Sequence, residues 1–194
     1  MCIVGGALVV CVVIWLRDLK SQMRATESQP ARMIHPYRLS LKLTLDGQAR
    51  LIADVPKSTS LAELLALPRS GKNLDDRIAP LETTEWRFEA TVESAILEPD
   101  GDLMMEISSD GQKAAVEIPD PALCTKSPFY RRIVTLRSQV LDRLRPEKTQ
   151  KRVQERAEIS GIGFAGWPDS GTRTGVRIYP ALGIRWLGPS GSAR

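Results

Sequence analysis

One histidine, three cysteines and an aromatic content of 5% are thin equipment for a chain of 194 residues. The lone histidine, His35, stands just ahead of Pro36. That excludes a histidine-based triad and a multi-histidine metal site from whatever folds downstream. Cys2 and Cys11 fall inside an apolar run, leaving Cys124 alone in the body of the chain, so no disulfide framework can be built. With no histidine nearby, Cys124 supports neither a cysteine–histidine nucleophile nor a zinc site and reads as a buried structural thiol. Charge is nearly balanced, at net +4 with a pI near 9.1. Such a surface permits acidic partners, anionic lipid or nucleic acid and requires none of them.

What is present begins with an uncharged run, CIVGGALVVCVVIWL, from Cys2 to Leu16. As a helix it spans about 22 Å, short of the roughly 30 Å hydrocarbon core of a bilayer. Trp15 suits an interfacial position, and Arg17, Lys20 and Arg24 follow. No basic stretch precedes the run and no small-x-small cleavage site follows it, so residues 1–20 are expected to form a transmembrane anchor in a bacterial inner membrane. Positive charge on the C-terminal side alone favours a cytoplasmic domain. Leu8-Val9-Val10-Cys11 fails as a lipoprotein box because Val10 is too bulky. Residues 21–36 form a polar linker with two prolines.

In residues 37–80, Leu39, Leu41, Leu43 and Leu45 alternate with Ser40, Lys42 and Thr44, which places the leucines on one face of a strand. Asp46-Gly47 suits a type I′ turn, and Ala49 to Val55 is expected to return as the partner strand of a β-hairpin. Ser60 and Glu63 form a capping box for a short helix that Pro68 ends. The hairpin's leucine face cannot stand alone and needs the main domain or a partner to cover it.

From 85 to 187 the pattern is clearer. Trp86 to Ile96, Leu103 to Ile107 and Ala114 to Ile118 alternate as three strands joined by Pro99-Asp100-Gly101 and Asp110-Gly111. Pro119 and Pro121 forbid further ladder pairing. Ser127-Pro128 reads as a helix start, and Phe129, Ile133, Leu136, Val140 and Leu144 line one helical face. Arg131, Arg132, Arg137, Arg143 and Arg145 form a basic rim on its remaining surface, the ordinary look of a solvated helix face. A charged loop, PEKTQKRVQER, precedes a fourth strand at 157–164, and 176–186 is a fifth, interrupted at Pro180. Three strands, a helix and two strands is the order of an OB-fold-like five-stranded barrel, here preceded by the hairpin and the anchor. Residues 188–194 are a loose tail.

Four stretches, WRFEATVESAILEPDGD, AVEIPDPALC, ISGIGF and GVRIYPALGI, resemble a group of poorly characterised bacterial OB-fold-like proteins. Their pattern is a Trp-led strand with a DGD turn, an EIPDP-x-x-C segment and a G-x-GFFD…HG…NGIELHPVL ending. The resemblance spans about residues 86–186. It implies an OB-like domain, often exported, with no established reaction, and so points to the extracytoplasmic side. Where that ending carries histidines, this chain has Trp167-Pro168-Asp169-Ser170-Gly171 and Tyr179-Pro180-Ala181. Any chemistry resting on those histidines is missing here.

Other chemical motifs fail on context. Gly161-Ile162-Gly163-Phe164-Ala165-Gly166 is a formal dinucleotide fingerprint, but Trp167-Pro168 blocks the helix it requires and no acid stands near 183. Ser70-Gly71-Lys72 lacks the upstream glycine and the following Ser or Thr of a phosphate loop. Glu98, Asp100 and Asp102 share one turn without the further ligands of a calcium site. Single-strand binding by an OB-fold uses aromatics on strands two and three, and these strands have none.

The reading that remains is a membrane-anchored, non-catalytic OB-like protein that binds a protein partner, as an envelope-assembly component, with membrane contact through residues 2–16. No catalytic, cofactor or metal residue is expected, and no cofactor. Arg131, Arg132, Trp167, Arg173 and Tyr179 are the candidate ligand or partner contacts. Two alternatives stay open: a single-stranded nucleic-acid-binding module, and a hydrolase whose site includes Asp169 or Arg173.

Overall fold

Alternation that begins at Glu85 shapes the largest element of the structure, a computed structural model that describes residues 36–53, 55–69, 76–165 and 175–188. The chain divides into two units, Met1–Ile34 and His35–Arg194, and all the described residues belong to the second. The expected anchor, the linker up to His35, residues 166–174 and residues 189–194 lie outside them. Among the described residues no helix is long and apolar enough to cross a membrane.

Helix α1 (Pro36–Lys42) opens the described chain, followed by a 3-10 turn at Gly47–Leu51, a two-residue strand β1 (Lys57–Ser58) and helix α2 (Leu61–Leu65). Strands β2 (Glu85–Leu97), β3 (Leu103–Ser109) and β4 (Gln112–Ile118) then form a meander. After helix α3 (Tyr130–Leu144) come β5 (Lys151–Ala165) and β6 (Val176–Trp186). All six strands belong to one sheet of order β1-β2-β3-β4-β6-β5, in which β5 also pairs with β2. Pairing therefore runs round a circuit, β2 to β3, β4, β6, β5 and back to β2. Within the circuit only β4 and β6 run parallel, joined at Ala115 with Arg177 and Val116 with Ile178.

The period-2 residues Phe88, Val92, Met105, Ile107, Val116, Ile118, Ile159 and Ile178 supply the core. Ile133, Leu136, Val140 and Leu144 of α3 join them, each such side chain contributing about 1.5–3 kcal/mol by leaving water. The helix begins at Tyr130, two residues later than Ser127-Pro128 suggests: Phe129 is its N-cap and makes no side-chain cap bond. Ser127 Oγ instead accepts the amide of Phe129 at 3.1 Å. Strand β5 begins at Lys151, well inside the stretch expected to be a charged loop. At Gly163 an added Cβ would lie 2.3 Å from Leu81 Cδ1, and at Gly161 2.5 Å from Ile178 Cγ2. These two glycines admit close neighbours within the paired strands.

The expected β-hairpin is absent. Residues 36–42 are helical, and Asp46 caps the 3-10 turn, accepting the amides of Gln48 at 3.0 Å and Ala49 at 3.1 Å, in place of making a type I′ turn. The reason is electrostatic. A strand would turn Arg38 and Lys42 to solvent with Ser40; as an i,i+4 pair on a helix they face inward together, and both are buried. Arg38 pairs with the buried Glu82, and Lys42 with Asp102 and Glu117. Buried carboxylates need counter-charges, and this tertiary demand overrides the local alternation. Leu41 and Leu43 join the core, as do Leu61, Leu64 and Leu65 of the Ser60–Glu63-capped α2, which forms as expected. Of the four alternating leucines, Leu41 and Leu43 are thus covered from within the chain, while Leu39 and Leu45 stay exposed.

Candidate functional site

Between Val92 and Ser94 strand β2 slips register against both β3 and β5. On the β3 side Val92 faces Ile107 and Ser94 faces Glu106, so Glu93 is extra. On the β5 side Val92 faces Glu155 and Ser94 faces Arg152, so Val153 and Gln154 bulge opposite Glu93. Gln154 takes φ 62°, the left-handed region that a non-glycine residue enters at a cost of about 1–2 kcal/mol. Bulges re-aim side chains and recur beside functional sites. Here the outcome is a cleft of about 550 Å³ lined by Glu93, Ser94, Glu106, Lys113, Gln150, Arg152 and Gln154. Ala95, Met105 and Ile107 point into the core from the opposite face of the same strands.

Neutral donors satisfy both acids of the cleft. Glu93 accepts the Ser108 hydroxyl on one oxygen and the Gln154 amide on the other. Glu106 Oε2 accepts Ser94 Oγ at 3.0 Å and Gln150 Nε2 at 2.7 Å. These bonds, first that from Ser108 and then that from Gln154, hold the Glu93 carboxyl below its ordinary range, with the more distant charges of Lys113 and Arg152 adding to them. Glu93 is thus an ionised acceptor and a poor general acid.

A second cluster lies buried where α1 meets the strands. Asp102 Oδ2 accepts the Tyr179 hydroxyl at 2.9 Å, Oδ1 accepts the Asp120 amide at 3.0 Å, and Lys42 Nζ approaches Oδ2 at 3.4 Å. Lys42 also lies 3.3 Å from Glu117 Oε2, and Arg177 pairs with Glu117 Oε1. Burial pushes the Asp102 carboxyl above its usual value, and burial beside Asp102 pushes the Tyr179 phenol well above its own. Cys124 is buried too, and its thiol is pushed up to about 11, chiefly by that burial and then by Asp102 and Asp120. A thiol so raised is no nucleophile at neutral pH. Of the acidic turn, Asp100 Oδ1 accepts the Asp102 amide at 3.1 Å while Asp102 turns inward.

The contacts expected from the sequence scatter. Tyr179, expected among the ligand or partner contacts, is buried with its hydroxyl bonded to Asp102. Arg132 forks onto the buried Glu85, Nη1 to Oε2 at 2.8 Å and Nη2 to Oε1 at 2.6 Å, a structural clamp between α3 and β2. Arg137 likewise holds the carbonyls of Gly101 at 2.6 Å and Ile118 at 3.2 Å. Arg131 is exposed. Trp167, Asp169 and Arg173 lie outside the described residues. Trp186 meets Arg143, 5.5 Å from ring centroid to guanidinium, in a shallow hollow between α3 and the end of β6. None of the expected contacts among the described residues lines the larger cleft, whose described residues come from β2, β3, β4, β5 and the approach to β5. The one sequence signal for it is polar alternation in Gln150, Arg152 and Gln154.

No family model matches the chain, and no curated protein matches it. Among solved structures it is similar to a chain described as "OBody AM2EP06 bound to hen egg-white lysozyme", at 19% identity and a TM-score of 0.34, over 53% of this chain and 79% of that one.

Proposed function

We propose that the closed strand circuit is an OB-like barrel, with α3 in the position of the OB helix, and that it is a non-catalytic domain binding a segment of a protein partner. The barrel is tethered to a bacterial inner membrane by residues 2–16, as part of an envelope assembly. The observation that carries the binding reading is the polar cleft over β2, β3 and β5, open on the face of the strands opposite the core. Its lining offers hydroxyls, amides and both signs of charge, the mixed hydrogen-bonding surface with which proteins read one another. The leucine hairpin that the alternation suggested does not carry the reading, since residues 36–42 are helical and Leu41 and Leu43 are buried, with Leu39 and Leu45 left exposed.

Chemistry is disfavoured on the described residues: the Ser94 and Ser108 hydroxyls donate to Glu106 and Glu93, carboxylates that also accept side-chain amides and have no histidine beside them, and the thiol of Cys124 and the phenol of Tyr179 are buried and protonated. A hydrolase reading keeps one test, since replacing Asp169 or Arg173 would abolish any activity that depends on those side chains. Nucleic acid is disfavoured because, among the described residues, the cleft carries two carboxylates and no stacking ring. Crosslinking in intact cells, followed by solubilisation and identification of neighbours, tests the proposal: a stable crosslinked partner is expected, and recovery as a free monomer alone contradicts it. Protease accessibility of the tail in spheroplasts assigns the side of the membrane.

A further inference from the structure

We infer that the cleft recognises acidic side chains of its protein partner, holding a ligand carboxylate with Lys113 and Arg152; this deepens the binding reading above and rests on it. Lys113 and Arg152 line the same cleft as Glu93 and Glu106. On formal charge the two acids and two bases balance, and on an ordinary surface they would pair. They do not: among the described residues the side chain of neither Lys113 nor Arg152 makes a hydrogen bond or an ion pair. The acids are instead occupied by Ser94, Ser108, Gln150 and Gln154.

This division of labour decides the sign of the ligand. Ser and Gln donors bring no charge, so the cations keep all their donors, three on an ammonium and five on a guanidinium. A cationic ligand would have to displace donors already seated on Glu93 and Glu106. A carboxylate meets two cations with free donors and gains charge-assisted bonds. The bulge serves the same end, since it holds Gln154 in a strained backbone state that lets its amide reach Glu93. A phosphodiester strand fits less well, because it would run its repeated charges past Glu93 and Glu106 without an aromatic platform.

The test uses the full chain in lipid nanodiscs and fluorescence anisotropy with three labelled probes: a Glu–Ser alternating nonapeptide, a Lys–Ser nonapeptide and an oligo-thymidine strand. The Glu–Ser peptide should bind best and weaken as salt rises. The double variant Lys113→Ala/Arg152→Ala should weaken it by about tenfold or more while leaving thermal unfolding unchanged, since both side chains are exposed. Lys126→Ala, an exposed cation outside the cleft, should leave binding intact. Glu–Ser binding that survives the double variant overturns the inference, as does preference for oligo-thymidine. Preference for the Lys–Ser peptide, abolished by Glu93→Gln/Glu106→Gln, overturns the inference but keeps the cleft as a protein-binding site. No binding of any probe overturns both.

Discussion

The Lys42 ammonium lies 4.0 Å from the centroid of the Tyr179 ring, and both groups converge on the same oxygen, Asp102 Oδ2. One cation from α1 thereby stacks on an aromatic face and neutralises acids at the start of β3 and on β4. Removing it leaves two buried carboxylates short of a counter-charge, so Lys42→Met should destabilise the fold by about 3–5 kcal/mol. Tyr179→Phe removes a single bond to a carboxylate that keeps other partners and should cost about 1–2 kcal/mol. Chemical denaturation of the two variants checks the order; equal losses would contradict it.

Asp102 and Glu93 should give pH dependences of opposite sign. Burial first, and then Asp100, raises the folded pKa of Asp102 above its ordinary 3.8, against the pull of Lys42, the Asp120 amide and the Tyr179 hydroxyl. The folded state then binds the proton more tightly than the unfolded state, so this contribution is full below 3.8 and is lost as pH rises through the raised value. Wild-type stability measured against Asp102→Asn should therefore fall as pH rises above 4. Glu93 is lowered, so its contribution is present above its ordinary 4.5 and lost as pH falls. Wild type measured against Glu93→Gln should lose ground on acidification. Parallel curves for either pair would contradict the assignment.

Gly163→Ala places a methyl against Leu81 Cδ1 and the Leu81 carbonyl, at 2.3 and 2.8 Å. Overpacking of this kind costs about 1–3 kcal/mol. The cost should appear as a lowered melting temperature, with no change in affinity for any nucleotide cofactor, because the glycine is there for Leu81.

Gln154 separates backbone strain from side-chain function. Gln154→Gly relaxes the left-handed backbone but removes the donor to Glu93, whereas Gln154→Ala removes the donor and keeps the strain. The glycine variant should be more stable than the alanine variant by about 1 kcal/mol, and both should bind the Glu–Ser peptide less well than wild type.

The strand order from Trp86 onward was legible because one face of each strand is apolar and period 2 survives in the sequence. The front segment was not. Leu39, Leu41, Leu43 and Leu45 alternate as a strand would, and nothing local reveals that Glu82, Asp102 and Glu117 wait for Arg38 and Lys42 from far along the chain. The start of β5 was hidden for a related reason: Lys151, Arg152, Gln154 and Arg156 are exposed, so both faces are mainly polar and read as loop. The cleft inherits that opacity. Gln154 meets Glu93 across 61 residues of sequence, and the bulge that joins them is a property of register. That Lys113 and Arg152 stay unpaired follows only from seeing which donors reach the acids first.

The central claim is that the cleft is where a protein partner docks. Site-specific photo-crosslinking in intact cells tests it most directly, with the crosslinking residue placed in turn at Lys113, at Gln154 and at the exposed Arg131 on α3. The cleft positions should yield a discrete adduct with one protein, with none at Arg131. Adducts at Arg131 alone, or none at any position, would contradict the claim.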